Sequence, residues 1–385
     1  VSRTVFGWLA AALAACPGLV VPAHALPTMI RLGYANCAAC HVAPQGGGLL
    51  NLYGRGIDEA QSLRAGEYQP TKNSVIKSLN WGGRITQDFR FAGQEQIAGG
   101  TGLPTRGILR SRFFYRNATE LGKGWRISAM IGGENESAAR PNFVYDGAAR
   151  PRTAYVPQAL ISYRPKDNLE FSAGRDQLPN GVNLPDLAMY IRSRNGLGYY
   201  DAPTQVKAFW WGKRYHINPY AFAPGGTERS GFHESGAGGL AEVDVLGKGR
   251  TVIGVNALHG TAYKVGRTLV GPYARLGFGK WGILAEHDMT TRSTRHTATP
   301  VSFGQNATLA QTFVAIREWL VATGGYERLT VERPYQEHLN AGMFQLTARL
   351  TPQFTVAVAT RIQHNVLNGR NAPSVAIQLA MKTPN

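Results

Sequence analysis

Residues 121–131 read LGKGWRISAMI. Two glycines around a lysine make a tight turn, and the chain then alternates: Trp125, Ile127, Ala129 and Ile131 on one side, Arg126, Ser128 and Met130 on the other. A period of two is the strand signature, so this stretch is one corner of a hairpin with a single apolar face. The alternation returns in FTVAVATRIQ (354–363), where Phe354, Val356, Val358 and Ile362 oppose Thr355, Ala357, Ala359, Arg361 and Gln363, and again in SVAIQLAMK (374–382).

Such segments recur from Trp81 to the C-terminus, about 16 of them, each of the roughly 10-residue length a tilted membrane strand needs. The connections carry further information. Tight turns at 121–124, 165–168, 246–249, 279–280 and 351–353 alternate with longer polar loops near 92–106, 132–152, 175–203, 223–236, 260–267, 289–306, 332–337 and 365–373. Short, long, short, long is the pattern of an outer-membrane barrel. A soluble sandwich or propeller would also show many short strands, but it would not explain the alternating loop lengths. The expectation is a mainly β chain: an antiparallel outer-membrane β-barrel of about 16 strands over residues 81–385, preceded by a small haem-binding plug over 26–80.

Composition agrees. The 385 residues include 46 glycines and are 10% aromatic and 43% hydrophobic, which argues against disorder and favours strands and turns. Past the first 25 residues no apolar run reaches the length of a membrane helix. The net charge of +17 and pI ≈ 10.0 imply an anion-preferring pore wall or contact with lipopolysaccharide phosphates. A nucleic-acid role does not suit an exported barrel.

The export signal is read from residues 1–25: one basic residue, Arg3, an apolar run and a small-residue site, Ala23-His24-Ala25. Cleavage there would start the mature chain at Leu26; lipid attachment at Cys16 is the alternative. Eleven residues on comes NCAACH (36–41). Two thiols three positions apart, with histidine directly after the second, let both sulfurs add to the vinyl groups of one haem while the imidazole reaches its iron. A thioredoxin-like redox pair would need a different context, and a zinc site would need a second ligand pair, yet 42–80 contains neither Cys nor His. Cys37 and Cys40 are therefore expected to hold one covalent c-type haem, with His41 as its axial ligand.

Pro27, Arg31, Gly33, Tyr34, Cys37-Ala-Ala-Cys40-His41, Pro44, Leu49, Asn51 and Tyr53-Gly54-Arg55, followed by the barrel pattern, resemble the fused monohaem cytochrome–porins, a family that includes outer-membrane iron oxidases. The motif likeness covers residues 27–57; the rest is similar in architecture. The resemblance implies an electron path through the outer membrane, with a cytochrome plug in or at the mouth of the porin, an extracellular donor such as Fe(II), and a periplasmic c-type cytochrome as partner. The stretch PTMIRLGY before the motif differs from the more polar version in the iron oxidases, which leaves the donor open. A diffusion porin with a structural or gating haem domain is the alternative function, and a soluble periplasmic cytochrome with an all-β domain is a third.

Lumen parity assigns further candidates. If Ile85, Phe89 and Phe91 face lipid, then Arg84, Thr86, Asp88 and Arg90 face inward, as do Arg110, Arg112, Arg116 and Arg126. Arg84, Arg90, Arg110 and Arg112 are candidates to neutralise haem propionates, against an ordinary cationic pore wall. For a sixth iron ligand the choices are Met29 in the plug, Met130 and His216 on lumen parity, or none. His259, His287 and His364 fall on the apolar parity. Loop 175–203, with its MYIRSRNGLGYY (189–200), is expected to face outward. No catalytic Ser/His/Asp arrangement or nucleotide loop stands out.

Overall fold

Sixteen strands, each hydrogen-bonded to its sequence neighbour, form one antiparallel sheet that closes when the first strand pairs with the last. The strands are β1 Ile85–Gly99, β2 Leu109–Gly122, β3 Trp125–Glu134, β4 Ala154–Lys166, β5 Leu169–Arg175, β6 Thr204–Trp211, β7 Tyr215–Ala223 and β8 Ser235–Asp244. They continue with β9 Thr251–Thr261, β10 Val265–Phe278, β11 Trp281–Thr294, β12 Val301–Arg317, β13 Leu320–Val331, β14 Glu337–Thr351, β15 Phe354–Asn365 and β16 Arg370–Lys382. The computed structural model describes residues 27–45, 49–64, 84–99, 109–134, 154–182, 189–197, 202–225, 234–262, 265–294, 301–334 and 336–382. The expected signal at 1–25 lies outside the described residues.

Closure satisfies every ladder and leaves no sheet edge, which is what a sheet needs in order to sit in lipid. The two faces are sorted as the alternation requires. Trp125, Ile127 and Ile131 are exposed on the outside with Phe89, Phe91 and Phe113, while Arg126 and Met130 are buried on the inside. Asp88, Arg116, Glu170, Asn256, Glu286 and Glu327 are buried inside as well. Apolar outside and charged inside is the reverse of a soluble protein and the order of a barrel in a membrane. It excludes the soluble all-β reading.

The strand ends correct several loop expectations. β1 runs on to Gly99, β11 to Thr294, and β12 spans 17 residues, so the connections near 92–106 and 289–306 are shorter than expected. The link expected at 365–373 is the four-residue turn 366–369, because β15 ends at Asn365 and β16 begins at Arg370. The polar residues read there as loop belong to paired strand ends, since ladder bonds do not require apolar side chains.

Loop 175–203 does not face outward in its described parts, 176–182 and 189–197. Leu178, Val182, Met189, Tyr190, Ile191 and Leu197 are buried in it, and its short helix, Tyr190–Ser193, packs on β11, β12 and β13. The reason is a local break in lumen polarity. Leu284, Leu309, Phe313 and Leu329 line the wall there and need an apolar cover. Wall carboxylates then meet the loop's donors: Glu286 accepts from Val182 N at 2.7 Å, Glu327 from Tyr190 N at 3.1 Å, and Asp288 from Asn195 Nδ2 at 2.7 Å.

Ahead of the barrel, two 3-10 helices, Pro27–Leu32 and Cys37–Ala39, and helix α1, Leu52–Ala60, form the described part of the plug. It sits at the tight-turn end. Gly33 packs on the turn between β8 and β9: an added Cβ at Gly249, whose φ is +69°, would lie 1.8 Å from the Gly33 carbonyl oxygen. Leu63 and Arg64 donate backbone bonds to the Arg349 and Leu350 carbonyls at 2.8 and 2.9 Å.

Candidate functional site

The turn that carries both thiols is built by its own backbone. The Asn36 side chain accepts from Ala38 N at 2.9 Å, and the Cys37 carbonyl accepts from His41 N at 2.9 Å. Downstream residues clamp it. Asn51 donates its side chain to the Ala39 carbonyl at 3.0 Å and caps α1 by accepting from Gly54 N at 2.8 Å. His41 also forms a backbone bridge with Leu50. Cys37 and Cys40 are both free thiols. Burial pushes the Cys37 thiol up against the pull of Arg275, and burial together with Cys37 raises Cys40.

The segment from Ala35 to Gln45 lies along the lumen wall and is tied at both ends. At one end Arg275, on β10, donates to the Ala35 carbonyl at 3.3 Å and lies against the Cys37 thiol. At the other, Lys207 on β6 donates to Gln45 Oε1 at 2.6 Å, and Gln45 Nε2 donates to Asp176 at 2.8 Å. Glu242 of β8 joins the first anchor, accepting from Arg275 at 2.6 Å and from the Tyr273 hydroxyl at 2.7 Å. His216 Nδ1 is 3.4 Å from the other oxygen of Glu242.

A second contact holds the far side of the plug. Asp58 of α1 pairs with Arg349 at 2.9 Å and with Lys382. Burial alone would raise its carboxyl, but these two cations outweigh burial and leave it below the usual carboxylate range. The plug therefore bridges the tight-turn end from β10 round to β14 and β16.

The other residues singled out in the sequence are dispersed. Met29 Sδ accepts from Gln61 Nε2 at 3.5 Å, within the plug. Met130 is buried in the wall between its register partners Arg116 and Gln158. Arg90 and Arg116 pair with Asp88, and Arg126 pairs with Glu170 at 2.6 Å. Arg84 is exposed at the start of β1, and Arg112 sits half-buried on the lumen side of β2. The Arg110 side chain lies outside what is described. Arg84, Arg90, Arg110 and Arg112 belong to β1, its edge and β2, across the ring from β8 and β10. The guanidinium beside Cys37 is Arg275, which sequence reasoning missed. Tyr273 and Arg275 share lumen parity in GPYARLGF (271–278), but parity says only inside or outside, not which strand the plug meets.

No protein-family model matches the chain, and no curated protein matches it. Among solved structures it is similar to a loop L8 deletion mutant of OmpT, an outer membrane protein of Vibrio cholerae, with a TM-score of 0.61 and 9% identity over 78% of this chain and 99% of that one. It is also similar to Pseudomonas putida OprB, with a TM-score of 0.58 and 11% identity over 80% of this chain and 97% of that one. An anion-selective porin from Comamonas acidovorans gives a TM-score of 0.56 and 11% identity over 78% of this chain and all 100% of that one. At such identities the likeness is one of fold. The chain is a closed 16-stranded antiparallel barrel of porin-like architecture, and that fold with its apolar outer belt belongs in the bacterial outer membrane.

Proposed function

We propose that the protein passes electrons across the outer membrane through one covalent c-type haem held by Cys37, Cys40 and His41. The observation that carries this reading is the docking of the thiol-bearing turn on the lumen wall at the tight-turn end of the barrel, which is the periplasmic end in outer-membrane barrels. The donor set fits the group: two free thiols three positions apart, and a histidine fixed to the first of them by a backbone bond. When bound, the haem would supply a one-electron redox centre, matched to a one-electron donor such as Fe(II), oxidised to Fe(III), and to a periplasmic cytochrome as the electron's acceptor.

The chain's own residues do the rest. Asn51, Gly54 and Arg275 hold the turn, Gln45 and Lys207 fix its far end, and the barrel excludes lipid from the path. A site at the periplasmic end meets a periplasmic c-type cytochrome directly, whereas an outside donor has to enter through the lumen. That favours a small dissolved donor such as Fe(II).

Stopped-flow mixing of the detergent-purified, oxidised protein with Fe(II) under anaerobic, near-neutral conditions tests this. Reduced c-haem bands are expected to appear rapidly. A haem that stays oxidised with Fe(II) yet reduces with dithionite would remove iron as the donor. The double substitution of Cys37 and Cys40 by Ala is expected to abolish haem while the barrel still assembles. The basic composition supports a second reading, a diffusion porin. Under that reading anion conductance in planar bilayers would survive the double substitution.

A further inference from the structure

Two anchors, on β10 and on β6, hold the ends of the segment that carries Cys37, Cys40 and His41. Between these strands in the ring lie β7, β8 and β9. β7 carries His216 and β8 carries Glu242, and the two are register partners. The segment thus runs along the stretch of wall from which His216 projects.

The state of that imidazole is unusual for a lining residue. A carboxylate only accepts, so His216 Nδ1 donates to Glu242, and in the neutral ring the proton on Nδ1 leaves Nε2 with its lone pair. Nε2 is buried and has no hydrogen-bond partner among the described residues. A buried nitrogen without a partner costs free energy unless something binds it. Glu242 is itself held in place by Arg275 and the Tyr273 hydroxyl, and the Phe209 ring stacks on the imidazole with centroids 5.8 Å apart. A histidine whose second nitrogen is fixed by a carboxylate is the usual arrangement of a metal-bound imidazole. Met29 and Met130 lack this setting: Met29 is engaged by Gln61, and Met130 is buried in the wall of β3, where its register partner Gln158 donates to Asp176 at the Gln45 end of the segment.

We infer that His216 is the second axial ligand of the haem iron, supplied by the barrel wall opposite His41, and that Glu242 is its positioning residue. The inference rests on the electron-transfer reading. It would make the barrel part of the redox site, so that iron ligation itself locks plug to wall. It also suits rapid electron exchange, since an iron with two protein ligands keeps its coordination in both redox states.

The test is spectroscopic and needs no turnover. The intact protein is expected to carry covalent haem that is low-spin in the ferric state. His216→Ala is expected to lose the low-spin signal in favour of a high-spin one, and added imidazole should restore it. His216→Met guards against a merely misfolded alanine variant. It should give the near-infrared charge-transfer band of methionine-ligated ferric haem and a raised midpoint potential, and because His216→Ala should lack that band, the band reports iron bound at position 216 and not at Met29 or Met130. Glu242→Gln should stay low-spin with a raised potential, because a weaker acceptor leaves the imidazole a poorer donor that stabilises the ferric iron less. Covalent haem whose spin state is unchanged in His216→Ala would overturn the inference and leave the electron-transfer reading standing. Absence of covalent haem from the intact protein would overturn both.

Discussion

Asp58 shows how one side chain couples the plug to the barrel. Its two cations, Arg349 and Lys382, come from different strands, so the carboxylate pins α1 to the ends of β14 and β16 together. Its folded-state pKa is lowered, so the stabilisation is fully present above the ordinary carboxyl value of about 3.9 and is lost as pH falls through the lower, folded value. Hydrogen exchange at the Leu63 and Arg64 amides, which bond to the strand end at 349–350, reads this directly. Protection should hold from pH 7 to 5 and collapse on further acidification. In Asp58→Asn it should be weaker from pH 7 to 5 and show no acid step.

Among the elements, α1 is the one on which the thiol turn depends, and its two glycines make opposite demands. An added Cβ at Gly54 would lie 2.1 Å from the Cys40 carbonyl oxygen, and the same addition at Gly56 would meet nothing within 4 Å. Gly54→Ala must push the helix off the turn and should cost roughly 1–3 kcal/mol, with a loss of haem yield on a heme-stained gel. Gly56→Ala should instead stabilise the plug by about 0.5–1 kcal/mol, as expected for glycine replaced inside a helix. The folded-in loop makes a parallel point. Its MYIRSRNGL (189–197) is amphipathic without a strict period, and only the apolar lumen patch of Leu284, Leu309 and Leu329 decides that it turns inward.

For the whole molecule, the outward apolar belt is what lipid stabilises. Val255, midway along β9 and 45% exposed, faces outward, whereas Val366 lies in the turn between β15 and β16. Val255→Arg should cost roughly 2–4 kcal/mol of barrel stability in a bilayer, and Val366→Arg about 0–1 kcal/mol. Urea titration of heat-modifiable migration in vesicles measures both, and equal costs would mean that the belt does not sit where β9 places it.

The sequence by itself determined the barrel, its strand number and the two faces of segments such as 125–131 and 354–363, because side-chain alternation is local and every strand repeats it. It also determined the thiol–histidine turn, whose meaning lies in a spacing of a few residues. Tertiary structure decided the rest. Strand ends at Gly99, Thr294 and Arg370 are set by pairing, to which polar side chains are indifferent. The position of the plug around the ring, and with it the meeting of Cys37 with Arg275 and Glu242, depends on contacts between residues more than 200 apart in the chain. Alternation tells each residue which side of the sheet it occupies; only closure of the sheet and docking of the plug tell it which residues share that side.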